Sequence, residues 1–248
     1  MRRDPSTPAA TASSGITLFC IPHAGGSAAY YAPLAPLFTG RVCLRPVELP
    51  GRGRRCREPL AKELDAMVAD LDGCIRLVAQ DAPYALFGHS MGAMLAYLCA
   101  ARASEHGGRL PEALFLSACP PPSESGMFFP IDRPVLTRAD VWEHVVALGG
   151  IPGEIQASPD FREYLEPVLH ADFSALRAWR PRALPAIPVP IVWIVGSRDR
   201  ITAEAGDGWA RLTTRGVARH VFDGGHFYMH DHGPALAALI LRSLEGLR

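Results

Sequence analysis

The stretch Tyr84 to Tyr97, Tyr-Ala-Leu-Phe-Gly-His-Ser-Met-Gly-Ala-Met-Leu-Ala-Tyr, constrains this chain more than any other. A short apolar run, Tyr84 to Phe87, enters Gly88-His89-Ser90-Met91-Gly92, and a helix-forming run leaves it. That order of strand, sharp turn and helix suits G-x-S-x-G, in which a strained serine backbone pushes Oγ above the end of a sheet. Gly88 and Gly92 leave room where a Cβ would strike the neighbouring strand or helix. The amino end of the following helix favours negative charge beside Ser90. The plainer reading is a serine in an ordinary β-to-α turn. Partners further along the chain decide between the two.

At 248 residues, 48% of them apolar, the chain is long enough for one large domain carrying an insertion. It holds no run of eighteen apolar residues, so no membrane-spanning helix is expected. Basic and acidic residues balance at 25 each, which gives no general attraction to nucleic acid or anionic lipid. Cys20, Cys43, Cys56, Cys74, Cys99 and Cys119 show no C-x-x-C spacing, and several lie in apolar stretches. They read as free thiols of a reducing compartment. Met1 to Ser14 is polar and lacks the apolar core of a secretory signal, so a disordered tail is expected at residues 1–14. The expected setting is the cytoplasm, with the chain acting as a monomer.

Apolar runs at Ile16 to Ile21, Arg41 to Val47, Ala113 to Ser117, Ile191 to Val195 and Ala218 to Phe222 join the run before Gly88 as strands. Helical patterns alternate with them: Glu63 to Gln80, the run after Ser90 to about Ser104, about Ala203 to Leu212, and Pro234 to Leu247. The alternation predicts an α/β fold with a mostly parallel sheet. It is interrupted after Cys119. Pro120-Pro121-Pro122 is followed by helical segments at about Arg138 to Leu148 and Asp160 to Trp179, parted by Gly149 to Gly153. Two helices without a strand between them read as a lid inserted at about residues 120–187. Met127, Phe128, Phe129 and Phe173 would be its apolar walls over Ser90.

Pro22-His23-Ala24-Gly25-Gly26-Ser27 follows the first strand and suits an oxyanion-binding loop, the N–H of Ala24 serving beside that of Met91. The loop lacks the Lys-Ser/Thr of a P-loop and the G-x-G-x-x-G frame. Asp199 and His226 each follow a predicted strand, so their loops should converge near Ser90. A serine hydroxyl needs an imidazole to take its proton, and the imidazole needs a carboxylate to fix its tautomer. The order Ser90, Asp199, His226 resembles that of an α/β-hydrolase. Asp223 and Asp207 are rival acids, the first too close to His226 in the same turn and the second within a helix. His226, His230 and His232 with Asp231 suggest a metal cluster, but no matching ligand group stands elsewhere, so neither metal nor other cofactor is expected. His23 and His89 read as satisfied loop histidines. Arg52, Arg54, Arg55 and Arg57 crowd one loop, either solvated and paired locally or, through Arg54 and Arg55, touching an anion.

With these residues placed, the chain resembles a type II thioesterase of polyketide and nonribosomal peptide synthesis. The resemblance rests on Leu18 to Ser27, Leu49-Pro50-Gly51-Arg52, Phe87 to Ala93 and Gly224-Gly225-His226-Phe227-Tyr228. Leu165 to Arg180, with Ala171-Asp172-Phe173, is similar to that family's second lid helix. It implies an α/β-hydrolase fold and a free-standing editing enzyme. Such an enzyme hydrolyses aberrant or stalled acyl groups from the phosphopantetheine arm of acyl or peptidyl carrier proteins, with acyl-CoA as a further source. The family often has an acid two residues before the triad Asp, where Ser197 stands here. A carboxylesterase, an acyltransferase or cyclase, and a catalytically inert scaffold are the alternatives.

Overall fold

The computed structural model describes residues 15–38, 40–79, 82–122, 135–180 and 184–246. The expected tail at residues 1–14, and Met127, Phe128 and Phe129, lie outside them. Strands β1 (Ile16–Ile21), β2 (Val42–Pro46), β3 (Tyr84–His89), β4 (Leu114–Ser117), β5 (Ile191–Gly196) and β6 (Val217–Phe222) form one sheet. Its order is β2-β1-β3-β4-β5-β6, parallel at every pairing. The inner strands are continuous apolar runs because layers cover both faces of a parallel sheet. Every residue of β3, β4 and β5 is buried. The edge strands β2 and β6 mix exposed residues into their runs, including Arg219.

Alternation along β1 sends Phe19 and Ile21 to one face and Leu18 and Cys20 to the other. Helices α1 (Leu64–Val78) and α2 (Met91–Glu105) cover the first face, with Met67, Leu71 and Met94 in its core. A 3-10 helix, Ala28–Leu37, and the last helix of the chain cover the second through Tyr31, Leu34, Leu236 and Ile240. α2 is buried almost all round, which explains its lack of a polar stripe.

Between β4 and β5 lie α3 (Arg138–Ala147), α4 (Gly153–Gln156) and α5 (Pro159–Ala178). Thr137 and Asp140 form a capping box at the start of α3. Ser158 accepts from the Phe161 N–H at 3.4 Å, and Pro159 opens α5 where a missing N–H does no harm. Val141, Val145, Leu165, Leu169 and Phe173 join the core on the α1 and α2 face. These helices are thus continuous with the main core.

The outline matches the expected α/β-hydrolase arrangement, with local departures. The short α4 begins within the stretch taken as a separator. The 3-10 helix at Ala28–Leu37 was not expected, and Pro33 and Pro36 inside it remove α-helical donors. The helix expected at Ala203 to Leu212 is present, in 3-10 form. Within it, a Cβ on Gly206 would collide with the Trp193 ring. The final helix, α6 (Met229–Glu245), starts before Pro234 and is kinked at His232 (φ −117°, ψ 20°). Cys20, Cys99 and Cys119 are buried, but Cys43, Cys56 and Cys74 are exposed, and all six are free.

Chain direction across the sheet reverses between β1 and β3. In open α/β sheets the crevice at the carboxyl ends of such strands is the ligand site. The loop carrying Ala24 leaves β1 there, and Ser90 follows β3.

Candidate active site

Ser90 sits between β3 and α2 with φ 54° and ψ −119°, a conformation that costs a side-chain-bearing residue about 1–3 kcal/mol. Surrounding contacts hold it there. The Ser90 N–H donates to Ser117 O at 2.8 Å, tying the turn to β4. A Cβ on Gly88 would meet the Gly92 carbonyl, and one on Gly92 would meet the Ile21 carbonyl. Both glycines of G-x-S-x-G are thus fixed by backbone packed against backbone. The N–H of Met91, at the first position of α2, has no intrahelical acceptor.

Asp199 and His226 come from the loops after β5 and β6. His226 Nδ1 lies 2.9 Å from Asp199 Oδ2, with side-chain exposures of 7% and 1%. Asp199 Oδ1 accepts from the Ile201 N–H at 3.2 Å, which fixes the carboxylate from its other side. A carboxylate on Nδ1 sets the tautomer that leaves Nε2 as the basic nitrogen. The rival acids are engaged elsewhere. Exposed Asp223 is held by Ser197 Oγ at 2.9 Å and by Arg198, and Asp207 lies 3.5 Å from Arg219. Ser197, the departure noted in the sequence, also accepts from the Gly224 N–H at 3.3 Å, so it braces the loop that leads to His226.

These groups meet at one apolar cavity of about 190 Å³. Ser90, Met91, Ala24, Asp199, His226 and Phe173 all line it, so the structure brings together every described residue assigned to triad, oxyanion loop and acyl wall. Leu148, at the end of α3, and Leu176 on α5 add apolar wall from the lid. Sequence reasoning missed His144, Arg200, Ala118 and Cys119. His144 packs on Phe173, and burial with the nearby Arg200 and His226 holds its pKa below the ordinary histidine range. Ala118 lines the cavity with φ 50°, a second strained turn at a strand end. Burial pushes the Cys119 thiol up to about 12, so at neutral pH it is no rival nucleophile. Among the described residues no group of three or more His, Cys, Asp or Glu side chains could hold a metal ion.

His23 and His89 occupy structural positions. His23 Nδ1 donates to Ala24 O at 2.8 Å, with its ring against Tyr30 and Phe227. His89 is buried, its Nδ1 2.8 Å from Ser117 Oγ, which lies 2.8 Å from the Tyr228 hydroxyl. Burial lowers His23 to about 4 and holds His89 well below its usual value. Below about pH 6.5 the unfolded chain therefore binds protons that the folded chain refuses. Stability is fully present above that pH and is lost as pH falls toward the folded values. Because the ordinary histidine value caps the effect, each of the two removes at most about 2 kcal/mol between pH 7 and pH 5, and His144 and His220, also lowered by burial, add to the loss. Urea unfolding at both pH values measures this, and His89→Gln should shrink the difference. An unchanged difference would assign the pH dependence to other groups.

The arginine loop divides. Arg52 is buried and forms a two-pronged ion pair with Asp172 of α5, NH1 to Oδ2 at 2.5 Å and NH2 to Oδ1 at 2.8 Å. Arg55 donates to Glu58, Asp70 and the Glu48 carbonyl, which engages all five of its side-chain N–H groups. An anion at Arg55 would have to displace one of these acceptors. Arg54 and Arg57 are exposed.

Residues 16–244 match the family described as Thioesterase domain. Thioesterase TesA of Mycobacterium marinum is 32% identical over 90% of this chain and 88% of its own length. The structure of ClbQ from the colibactin NRPS/PKS pathway superposes with a TM-score of 0.85 at 29% identity, covering 94% of this chain and 98% of ClbQ. The type II thioesterase BorB from the borrelidin biosynthetic cluster gives 0.81 at 31% identity, covering 93% of both chains. With its elbow, its paired Asp and His and the apolar cavity they share, this chain belongs to the thioesterase family.

Proposed function

We propose that the chain removes acyl groups from the phosphopantetheine thioester of acyl or peptidyl carrier proteins, using Ser90, His226 and Asp199. The observation that carries this is the Asp199–His226 bond at the wall of an apolar cavity that also holds Ser90 at positive φ. Ser90 Oγ attacks the thioester carbonyl and its proton passes to His226 Nε2. The N–H groups of Ala24 and Met91 receive the developing oxyanion, a contact whose loss costs about 3–4 kcal/mol per donor. The tetrahedral intermediate expels the pantetheine thiolate, which takes the proton from His226. Water then attacks the acyl-serine, giving up a proton to His226, and collapse releases the carboxylic acid and restores Ser90. The walls from Phe173, Leu176 and Leu148 suit an apolar acyl chain.

ClbQ, named for an NRPS/PKS pathway, and the type II thioesterase BorB, named for a biosynthetic cluster, support the carrier as substrate source. In the same reading the protein works as a cytoplasmic monomer and also accepts acyl-CoA. No helix among the described residues is long and apolar enough to cross a membrane. The test is one acyl group presented on a carrier protein, on coenzyme A and as a simple ester. Hydrolysis with the highest kcat/KM on the carrier supports the reading. Preference for the ester would make the chain a general esterase, and transfer to an added alcohol or amine would make it an acyltransferase.

Of the loop arginines, Arg54 keeps its assignment as a carrier contact. Arg54→Ala should raise KM for the carrier substrate by about 1.5- to 5-fold, the 0.2–1 kcal/mol of an exposed ion pair, and weaken its salt dependence. Hydrolysis of a small neutral ester should not change. Equal losses on both substrates would return Arg54 to a local structural role.

A further inference from the structure

We infer that Asp172, on the lid helix α5, is a positioning residue that sets the oxyanion loop from the lid side. The inference rests on the reading of Ala24 as an oxyanion donor.

The loop after β1 has little of its own to hold it. Its Gly26 N–H closes a turn onto His23 O at 2.9 Å, and Gly25 has φ 74°. The peptide that joins Ala24 to Gly25 is nevertheless pinned at both ends. Its carbonyl, that of Ala24, accepts from His23 Nδ1 at 2.8 Å. Its N–H, that of Gly25, donates to Asp172 Oδ2 at 2.8 Å. The Ala24 N–H sits in the preceding peptide plane, joined to this one only through φ and ψ of Ala24, so holding this plane at both ends narrows the directions that N–H can take. The N–H read as an oxyanion donor, on a residue that lines the cavity, is therefore held in place by a carboxylate 147 positions away in sequence.

Asp172 can do this because it is held rigidly itself. Its two oxygens receive the fork of Arg52, from the loop after β2, and both side chains are 1% exposed or less. Leu165, Leu169 and Asp172 recur at helical spacing on the face of α5 that meets the loop, where a Cβ on Gly25 would collide with Leu169. Oδ2 is shared between Arg52 and the Gly25 N–H, so the ion pair and the loop are braced through one atom. A charged pair used only as a strut between α5 and the Arg52 loop would not need that third bond. The next residue, Phe173, and Leu176 one turn along wall the acyl cavity, so the element that touches the acyl chain also sets the oxyanion donor.

Two variants separate positioning from support. Arg52→Met/Asp172→Leu removes both charges and keeps apolar volume, a replacement that buried ion pairs often tolerate in stability. It leaves the Gly25 N–H without its acceptor. Asp172→Asn breaks the ion pair but keeps an oxygen for Gly25. The expected pattern is crossed. The double variant should unfold near the wild-type temperature yet lose about 10²-fold in kcat, the scale of a misplaced catalytic group, with KM within about twofold. Its affinity for a trifluoromethyl ketone, which forms a tetrahedral adduct on the serine, should fall in parallel. Asp172→Asn should unfold at lower temperature yet keep kcat within about tenfold of wild type.

Activities that rank with unfolding temperatures would overturn the inference, as would a folded double variant with wild-type kcat. If the double variant does not fold, Asp172→Asn decides alone, since a 10²-fold fall in its kcat contradicts the retained acceptor. Ser90→Ala runs beside both. An active Ser90→Ala would sink the underlying mechanism, whereas an inactive Ser90→Ala with an unaffected double variant would sink only the role of Asp172.

Discussion

Ser90→Ala is expected to bring thioester hydrolysis to the floor of the assay, a loss on the order of 10⁶ in kcat where the nucleophile of a triad is removed. The fold should not notice. The strained turn is held by the Ser90 N–H bond to Ser117 O and by the contact of Gly88 with Gly92, and neither uses the hydroxyl. Alanine keeps the Cβ and inherits the same φ, so the unfolding temperature should match wild type closely. The oxyanion donors and the apolar walls also survive, so acyl-carrier substrate should still bind and remain unhydrolysed. Stopped assays with a labelled acyl group, together with fluorophosphonate labelling of wild type and variant, measure both halves. Turnover within about tenfold of wild type would remove Ser90 from the chemistry, since no positioning residue is so dispensable as a nucleophile is indispensable.

The parts of this site that could be read in the sequence are those set by local rules. G-x-S-x-G needs its glycines because Gly88 packs on Gly92 and Gly92 on Ile21, contacts within one strand-turn-helix unit and its neighbouring strand. Asp199 and His226 were legible because a parallel sheet sends every strand end to the same edge. The inner strands announced themselves by continuous apolar runs, for which burial on both faces is the cause. What stayed hidden depends on contacts across long separations. Arg52 looked like one of four arginines in a loop, and only α5 folding back makes it a buried partner of Asp172. One signal was available: Asp172 interrupts the apolar face that Leu169 and Leu176 define, and a carboxylate there requires a buried partner. The pairing of Arg55 with Asp70 was hidden for the same reason, since α1 supplies the acid. His144 gave no signal, because its approach to the cavity follows from the angle of the lid. The 3-10 helix at Ala28–Leu37 escaped because Pro33 and Pro36 break up its helical pattern and remove donors.

Asp199→Asn should lower kcat by about 10⁴, the scale seen when a triad acid becomes an amide. The reason is specific to the two bonds that Asp199 makes. As a carboxylate it accepts from His226 Nδ1 through one oxygen and from the Ile201 N–H through the other. Asparagine has one acceptor for these two donors. Keeping Ile201 turns the amide nitrogen toward His226, where Nδ1 must become the acceptor and the ring proton moves to Nε2. Nitrogen Nε2 can then no longer take the proton of Ser90. Keeping His226 instead leaves the Ile201 N–H facing a donor, which loosens the loop after β5 but preserves the tautomer. The first arrangement predicts a large kcat loss with little change in unfolding temperature, and the second a smaller loss with lower stability. The Asp199 side chain is only 1% exposed, so water is a poor substitute acceptor, and the first arrangement, which leaves neither donor unpaired, is the one expected. Asp223→Asn and Asp207→Asn serve as comparisons, each expected to stay within about fivefold of wild type because an exposed ion pair is worth at most about 1 kcal/mol. A near-normal Asp199→Asn beside a crippled Asp223→Asn would hand the role of acid to Asp223, and the loop after β6 would then have to supply both acid and base.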